Sequence, residues 1–305
     1  MEWRNIILRI SVVVTTYNGK MHLEKQLLSL LQQERAPDEV LIFDDGSTDG
    51  TIELVQSFIR KNCLESWQFY VNAKRKGWKQ NFMEGLRKAA GDILFPCDQD
   101  DIWYPKKLAE MTAVMEQHPE IKLLACDYRV LYEPGAIKAT VYKKTPAETQ
   151  GLITRYGFTK HFFMTPYPGC TYAVRRDFFD AVKELWFDGS PHDEFLWLMA
   201  AVQDGAWFYN RVLMDYVRYS DNASGVRYKD VALQKENLRY IHKQLCALQS
   251  FAAEHPDAVP VERCKMLAAA QIWCAKRQKL METRSPLRWL ALAPWWGLSL
   301  IHISE

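Results

Sequence analysis

The amino-acid sequence predicts an α/β fold: a Rossmann-like, mostly parallel sheet with flanking helices, followed by a helical extension toward the C-terminus. Residues 6–15 form a near-continuous apolar run rich in β-branched side chains, as expected of a parallel strand buried on both faces. Strand-like and helix-like segments then alternate through about residue 130, which indicates βαβ units. Two long helical segments follow residue 229.

Each later element has a local signal of its own. Leucines recur between residues 23 and 31 at a spacing that predicts a helix over 21–33. Ser47, Thr48 and Asp49 are candidate N-caps for a helix over 52–59. Pro105 opens a helix that continues to about residue 118, and prolines near 256–260 separate the two C-terminal helices. The remaining predicted elements are strands at 39–43, 67–71, 92–95 and 122–129 and a helix at 78–90.

Length, charge and cysteine content narrow the class of protein. The 305 residues suffice for one large core or two small ones, and 48% hydrophobic with 25% charged residues is typical of a globular chain. A net charge of +2 gives no strong attraction to nucleic acid, so we expect no nucleic-acid partner. The seven cysteines are widely spaced without a Cys-x-x-Cys pair, which argues for a reducing compartment and against a disulfide framework or structural zinc site.

The N-terminal residues lack the pattern of a signal peptide, because Glu2 and Arg4 lead directly into the first strand. No apolar stretch reaches the ~18 to 20 residues that cross a bilayer. We therefore expect a cytoplasmic protein.

Polar segments follow three of the predicted strands. They are residues 15–19 (Thr-Thr-Tyr-Asn-Gly), 44–50 (Asp-Asp-Gly-Ser-Thr-Asp-Gly) and 98–101 (Asp-Gln-Asp-Asp). Ligands of open α/β sheets bind at the carboxyl ends of strands. Taken singly, the first is also compatible with a simple turn, the second with a capped helix and the third with an acidic surface loop. The third is the strongest signal, since three carboxylates within four residues repel one another unless a cation neutralises them.

Together the three segments describe a nucleotide site. A hard cation on Asp98 and Asp100 would bridge to diphosphate oxygens. Asp45 would accept a hydrogen bond from a pyrimidine N–H, and the main chain near Thr15 and Tyr17 would hold the base and ribose.

The combination resembles glycosyltransferase family 2, the inverting enzymes with the GT-A fold. The resemblance covers about residues 8–225 and is carried by residues 13–19, 43–51, 91–93 and 98–103. The form Asp-Gln-Asp-Asp-Ile-Trp, followed by Pro105 and Lys107, is most similar to bacterial rhamnosyltransferase-like members that build surface polysaccharides.

The resemblance implies roles for individual residues. The expected nucleotide-binding residues are Thr15, Tyr17, Asp45, Lys79 and Asp98, with Arg75 as a rival to Lys79. Asp98 and Asp100 would form the Asp-x-Asp motif that holds Mg²⁺ or Mn²⁺, and Asp101 and Trp103 would support the site or face the acceptor.

The family's general base is an aspartate that opens a helix in the second half. The matching residue is Asp193, which would take the proton of the acceptor hydroxyl. Its alternative role is to stabilise a helix N-terminus. Glu194 is the neighbouring candidate for the base, and His192 is expected to orient the site.

Two departures from the family pattern affect the expected chemistry. Tyr219 stands where related sequences often have a histidine that reaches the metal or diphosphate, although Arg218 could still meet the phosphates. The Gln-x-x-Arg-Trp signature of processive synthases is absent, which favours non-processive transfer.

We expect a catalytic domain over residues 1–225, with a nucleotide-binding part to about 130 and an acceptor part from 131, and a helical extension over 226–305.

The expected function is transfer of a sugar from a nucleotide-diphosphate donor, with dTDP-L-rhamnose as the suggested donor, to a saccharide acceptor in surface polysaccharide synthesis. We expect this acceptor to be lipid-linked. Trp289, Trp295 and Trp296 follow a basic stretch and suit peripheral contact with the inner face of the plasma membrane, or packing on their own domain. The alternative functions are a nucleotidyltransferase acting on sugar phosphates and a non-catalytic protein that binds sugar nucleotides.

Overall fold

The computed structural model describes residues 7–136, 150–159, 162, 165–219 and 231–283, with only the backbone for 231–234 and 283. The described residues form a nine-stranded sheet flanked by helices, with strand order β3-β2-β1-β4-β8-β6-β9-β5 and β7 paired with β9. The strands are β1 Ile10–Thr16, β2 Glu39–Asp44, β3 Trp67–Val71, β4 Ile93–Cys97, β5 Ile102–Trp103, β6 Leu123–Tyr132, β7 Ile153–Arg155, β8 Tyr172–Arg175 and β9 Ala206–Arg218. The helices are α1 Lys20–Leu31, α2 Thr51–Lys61, α3 Trp78–Lys88, α4 Lys107–Gln117, α5 Arg176–Val182, α6 His192–Val202, α7 Val231–Glu254 and α8 Val261–Thr283.

The first four strands confirm the predicted parallel α/β arrangement. β1 lies between β2 and β4, and the β1–β2, β1–β4 and β2–β3 pairs are all parallel. Every residue of β1 is buried, because helices cover both faces of the sheet, and this accounts for the continuous apolar run in the sequence. The parallel register brings the ends of these strands, and the polar segments that follow them, to one edge of the sheet.

The second half of the sheet is mixed. β8 runs antiparallel to both β4 and β6, and the parallel pair β6–β9 is completed by β5 and β7, which are both antiparallel to β9. A short 3₁₀ turn at Gly169–Thr171 leads into β8. This turn comes close to the polar ends of the first strands, as described below.

The two predicted C-terminal helices are present, and α7 ends at Glu254 before α8 begins at Val261, on either side of Pro256 and Pro260. Both helices contribute to the same hydrophobic core as α3 and α6. Within the described part of the chain, no helix has both the length and the apolar composition needed to cross a membrane. The proposed domain division at residue 225 lies outside the described residues and stays a prediction, as does the role of Trp289, Trp295 and Trp296.

Candidate active site

The loops after β1 and β2 are joined by hydrogen bonds at the edge of the sheet. Asp44 accepts bonds from the Thr16 hydroxyl (2.7 Å) and from the Ser47 hydroxyl (2.6 Å) and backbone N–H (2.7 Å). Asn18 adds two bonds between the loops, since its N–H donates to Ser47 and its side-chain oxygen accepts from the Thr48 N–H. The carboxylate of Asp44 therefore organises the loops, which leaves its neighbour Asp45 as the ligand-facing candidate.

The Asp45 carboxylate is buried and accepts three hydrogen bonds from the segment after β3. The donors are the Asn72 side chain (3.0 Å) and the backbone N–H groups of Lys76 (2.7 Å) and Gly77 (2.8 Å). Each carboxylate oxygen has at least one partner, but Oδ2 accepts only the bond from Gly77. Asp45 thus fixes the segment after β3 against the loop after β2, and its Oδ2 atom retains acceptor capacity for one further donor.

Gln99 ties the acidic segment to the loop after β1. Its side-chain oxygen accepts from the Tyr17 N–H (2.9 Å) and its amide nitrogen donates to the Tyr17 carbonyl (3.3 Å). A methyl group added at Gly19 would lie 2.2 Å from the same oxygen of Gln99. Glycine at position 19 therefore leaves the room that this amide needs.

Arg75 and Lys79, the two alternative candidates for a cation that binds the nucleotide, lie in different places. The Arg75 guanidinium lies over the Tyr17 ring, 3.9 Å from its centroid. The Lys79 ammonium donates to the Gly189 carbonyl (2.6 Å), and its charge lowers the pKa values of Asp193 and Glu194. Arg75 is thus on the Tyr17 side of the site, whereas Lys79 is on the side of the candidate base.

The acidic segment brings Asp98 and Asp101 together with Cys170, whose ligand atoms all lie within 4.8 Å of one another. Burial and the charges of Asp100 and Asp193 raise the pKa of Asp98 to about 7. Burial and the neighbouring carboxylates also raise the pKa of Asp101 well above its ordinary value. Asp100 is not one of these three groups, but its charge acts on both Asp98 and Asp101. Its carboxylate accepts a hydrogen bond from the hydroxyl of Tyr219, the residue at the position where the family often has histidine.

A fully buried lysine lies beneath this cluster. The Lys107 ammonium donates to the Cys170 carbonyl and lies 3.8 Å from the centroid of the Trp103 ring. Its charge lowers the pKa of both Asp98 and Asp101, so it partly offsets the crowded carboxylates. Trp103 is 2% exposed and packs beside this ammonium, so its indole is part of the buried layer under the acidic segment.

The donor set of the acidic segment fits a divalent cation. Carboxylate oxygens are the ligands preferred by Mg²⁺ and are also suitable for Mn²⁺. The Oδ2 atom of Asp101 is buried without a hydrogen-bond partner. Burial and the neighbouring carboxylates raise the pKa of Asp98 and Asp101, and the charge of Lys107 offsets this only in part. A cation at this place would supply further positive charge.

Asp193 and Glu194 lie in the first turn of α6, as predicted. Asp193 accepts a hydrogen bond from the Glu194 N–H (2.9 Å), and burial raises its pKa although this bond and the Gly169 N–H lower it. Glu194 accepts a 2.6 Å hydrogen bond from the Tyr240 hydroxyl of α7. The two neighbouring carboxylates therefore have different surroundings.

His192 is buried and stacks on Phe82, with the ring centroids 4.0 Å apart. Neither ring nitrogen has a hydrogen-bond partner, and burial lowers the pKa of this imidazole to about 3. A methyl group added at Gly169 would lie 2.5 Å from the His192 Nε2 atom. The neutral imidazole thus fits a space that only a glycine at position 169 provides.

The turn before β8 connects the two acidic groups. Gly169 contacts His192 and Asp193, and the next residue, Cys170, contacts Asp98 and Asp101. The charge of Asp193 in turn raises the pKa of Asp98, which shows that the two carboxylates are within electrostatic reach. A predicted metal-binding segment and a predicted base, nearly a hundred residues apart in sequence, therefore face one site.

The profile of glycosyl transferase family 2 matches residues 11–181, which is more than half of the chain. The chain belongs to glycosyl transferase family 2. It is therefore a glycosyltransferase, and the resemblance drawn from its motifs is confirmed.

Relatives of this glycosyltransferase include the dTDP-rhamnosyl transferase RfbG of Shigella flexneri, which is 24% identical over 228 residues, covering 70% of this chain and 73% of the relative. The poly(ribitol-phosphate) β-N-acetylglucosaminyltransferase TarS of Staphylococcus aureus is 28% identical over 155 residues, 50% of this chain. That match spans 26% of TarS, so most of the TarS sequence lies outside the aligned region.

Solved structures confirm the GT-A type of fold. The structure of S. aureus TarS residues 1–349 with UDP-GlcNAc has a TM-score of 0.59 at 16% identity and covers 90% of this chain and 81% of that one. The mannosyltransferase PcManGT from Pyrobaculum calidifontis, solved with GDP-Man and Mn²⁺, has a TM-score of 0.51 at 19% identity and covers 96% and 81% of the two chains.

Proposed function

We propose that this family 2 glycosyltransferase is a metal-dependent, inverting and non-processive enzyme that moves one sugar from a nucleotide-diphosphate donor to a saccharide acceptor. The observation that carries the proposal is the turn Gly169–Cys170, which contacts Asp193 through Gly169 and the acidic segment at Asp98 through Cys170. The relatives support a nucleotide-sugar donor, since they include a dTDP-rhamnosyl transferase and structures with UDP-GlcNAc and GDP-Man.

The nucleotide would lie against the loops after β1 and β2. Tyr17 and Thr15 would hold it through the main chain and the Tyr17 ring, and Asp45 would accept a hydrogen bond from the base through Oδ2. Arg75, lying on Tyr17, is the cation nearer to this part of the site, which favours it over Lys79 for contact with the nucleotide.

Asp98 and Asp100 would hold Mg²⁺ or Mn²⁺, which neutralises negative charge on the diphosphate leaving group. The Mn²⁺ present with the related mannosyltransferase supports this cofactor. Asp101 would support the pair from below, because Lys107 and Cys170 already surround it.

Asp193 would act as the general base. Its carboxylate would accept the proton of the acceptor hydroxyl as that oxygen attacks the anomeric carbon from the side opposite the leaving nucleotide, which inverts the configuration. Burial raises the pKa of Asp193, and a more basic carboxylate is a better proton acceptor as long as it is ionised at the working pH. Lys79 would help to keep it ionised.

We propose dTDP-β-L-rhamnose as the donor and a lipid-linked saccharide as the acceptor, with Trp289, Trp295 and Trp296 giving peripheral contact with the membrane on the cytoplasmic side. The donor rests on the named relative from Shigella. The test is to incubate the protein with Mn²⁺ and dTDP-β-L-rhamnose, UDP-GlcNAc or GDP-Man and to identify the released products. Release of the nucleoside diphosphate is the outcome expected of a glycosyltransferase. Release of phosphate compounds other than the nucleoside diphosphate would indicate a nucleotidyltransferase.

Proton NMR of the transferred sugar decides the stereochemistry. An α-L-rhamnoside from the β-donor is the expected product, and a product that keeps the donor configuration would refute inversion. Turnover that persists undiminished in EDTA would refute metal dependence.

A further inference from the structure

The C-terminal helix α7 contacts the segment that carries the proposed base. Besides its bond to Glu194, Tyr240 receives a hydrogen bond from the Gln244 amide (2.6 Å). The same amide also donates to the hydroxyl of Ser190 (3.2 Å), and Ser190 and Gln244 are at most 1% exposed. Two residues of α7 therefore hold both sides of the turn that leads into α6.

This segment is held from the opposite side as well. The Lys79 ammonium of α3 donates to the Gly189 carbonyl, one residue before Ser190. Phe187 lies against the Tyr240 ring, with the ring centroids 5.8 Å apart. Residues 187–194 thus lie between α3 and α7, and the polar bonds from both helices fix their path.

Glu194 needs such a partner because of where it lies. Burial and the charge of Asp193 raise its pKa, and the Tyr240 hydroxyl lowers it. A largely buried carboxylate without a donor is destabilising and turns toward any available cation. Lys79 is such a cation, since its charge acts on both Asp193 and Glu194.

We infer that Tyr240 is a positioning residue of the active site: its hydroxyl holds the charged Glu194, which keeps Glu194 from drawing Lys79 off the Gly189 carbonyl and leaves Asp193 alone facing the acceptor. The inference rests on the proposed function of Asp193 as the base. Through Tyr240, the helical extension would then contribute to catalysis. Glu194 would have a structural role and not a catalytic one.

The variant Tyr240→Phe keeps the ring and removes only the hydroxyl. We expect kcat for release of nucleoside diphosphate from dTDP-β-L-rhamnose or UDP-GlcNAc to fall by about tenfold, with the Kd for the nucleotide changed by less than about twofold. The double variant Tyr240→Phe/Glu194→Gln should recover most of kcat, because a neutral amide at position 194 neither needs a charged partner nor draws Lys79 away.

A matched control is available elsewhere in the fold. The Tyr209 hydroxyl donates to the Glu110 carboxylate at 3.0 Å, which is the same kind of pair on β9 and α4. Tyr209→Phe should leave kcat unchanged. A purely structural role for the Tyr240 hydroxyl would leave the loss of kcat in place when Glu194 is also replaced.

The stability of the same variants gives a measurement that needs no donor. Tyr240→Phe should lower Tm by a few degrees, and Glu194→Gln should restore part of it in that background. If the wild type is active and Tyr240→Phe behaves like Tyr209→Phe, the inference is overturned while the proposed function stands. If the wild type turns over neither donor although the stability coupling is present, the proposed function fails and the catalytic part of the inference fails with it.

Discussion

The guanidinium of Arg75 stacks on the ring of Tyr17, with 3.9 Å between its central carbon and the ring centroid. Tyr17 begins the loop after β1, and Arg75 belongs to the segment after β3, whose backbone is fixed by Asp45. The stack therefore places a positive charge where the loop after β1 meets the segment after β3, the region proposed to bind the nucleotide. Lys79, which is only four residues further along, binds Gly189 instead.

This difference predicts separate effects for the two cations. Arg75→Ala should weaken binding of UDP or dTDP by about tenfold, because a cation that meets a phosphate is worth about 1 to 2 kcal/mol. Lys79→Ala should act mainly on kcat through Asp193. Isothermal titration with the nucleotide measures the first effect, and Lys74→Ala removes a neighbouring exposed cation as the control. Equal affinities for Arg75→Ala and Lys74→Ala would contradict the assignment.

The close approach of Gly19 and Gln99 gives a second prediction. Gly19→Ala should push the Gln99 amide away from Tyr17, since the new methyl group would lie 2.2 Å from its oxygen. Loss of the two hydrogen bonds should reduce nucleotide affinity by about fivefold, close to the worth of one net hydrogen bond. Gln99→Ala should have the same effect, and the double variant should be no worse than either single one. Additive losses, measured by nucleotide titration, would show that the two residues act separately.

The sequence predicted the elements of the first half because each has a strong local pattern. The strand Trp67–Val71 has its predicted bounds, and the bounds of helices α1, α3 and α4 lie within two residues of the predicted ones at each end. The mixed second half was less predictable: the antiparallel place of β8 between β4 and β6 depends on long-range pairing that leaves no periodic signal.

The candidate site shows the same limit. Motifs predict Asp98, Asp100 and Asp193, but three residues around them were not assigned to the site from sequence. Cys170 and Lys107 contact the acidic segment only after folding, and Tyr240 reaches Glu194 from a helix 46 residues away. A buried lysine or a hydrogen-bonded tyrosine looks like any other helical residue in sequence, so its role appears only with the tertiary contacts.

The raised pKa of Asp98 predicts how pH and metal affect stability. Its folded pKa is about 7 against an ordinary value of 3.8, so between these values the folded state holds a proton that the unfolded state has lost. This contribution to stability is complete below pH ~4 and is lost as pH rises toward 7. In EDTA, Asp98→Asn should therefore gain stability over the wild type as pH increases from 5 to 8.

Addition of Mn²⁺ should reverse that order. The cation stabilises the ionised carboxylates of the wild type, so its Tm should rise by several degrees at pH 8, and Asp98→Asn should respond much less. Thermal unfolding at several pH values, with Mn²⁺ or EDTA, measures both effects. If Asp98→Asn and the wild type have parallel pH profiles and equal responses to Mn²⁺, Asp98 is neither crowded nor a ligand.

His192 predicts a pH dependence of the opposite sign. Burial lowers the pKa of this imidazole from 6.5 to about 3. Between these pH values His192 is therefore protonated in the unfolded chain but neutral in the folded protein. The stability contribution is present above pH ~6.5 and is lost as pH falls toward 3, by up to about 1.4 kcal/mol per pH unit. His192→Gln should remove this loss, as measured by urea unfolding at pH 7, 6 and 5.

The control for this comparison is His255→Gln, which removes an exposed imidazole that also contacts a phenylalanine ring, that of Phe251. The difference between His192→Gln and the wild type should grow as the pH is lowered. A constant difference over this range would mean that His192 is protonated as easily in the folded protein as in the unfolded chain.

The assignment of the base is tested by two adjacent substitutions. Asp193→Asn keeps the size of the side chain and its acceptor oxygen for the Glu194 N–H, but it cannot take a proton. We expect it to lower kcat by roughly 10² to 10⁴, the usual worth of general base catalysis, with an unchanged Kd for the nucleotide. Glu194→Gln should lower kcat by less than about threefold, because an amide oxygen still accepts the hydrogen bond of Tyr240. Initial rates with Mn²⁺ and nucleotide titrations of both variants decide between the two residues. Loss of turnover in Glu194→Gln with activity retained in Asp193→Asn would move the base by one position and would also remove the structural place given to Glu194.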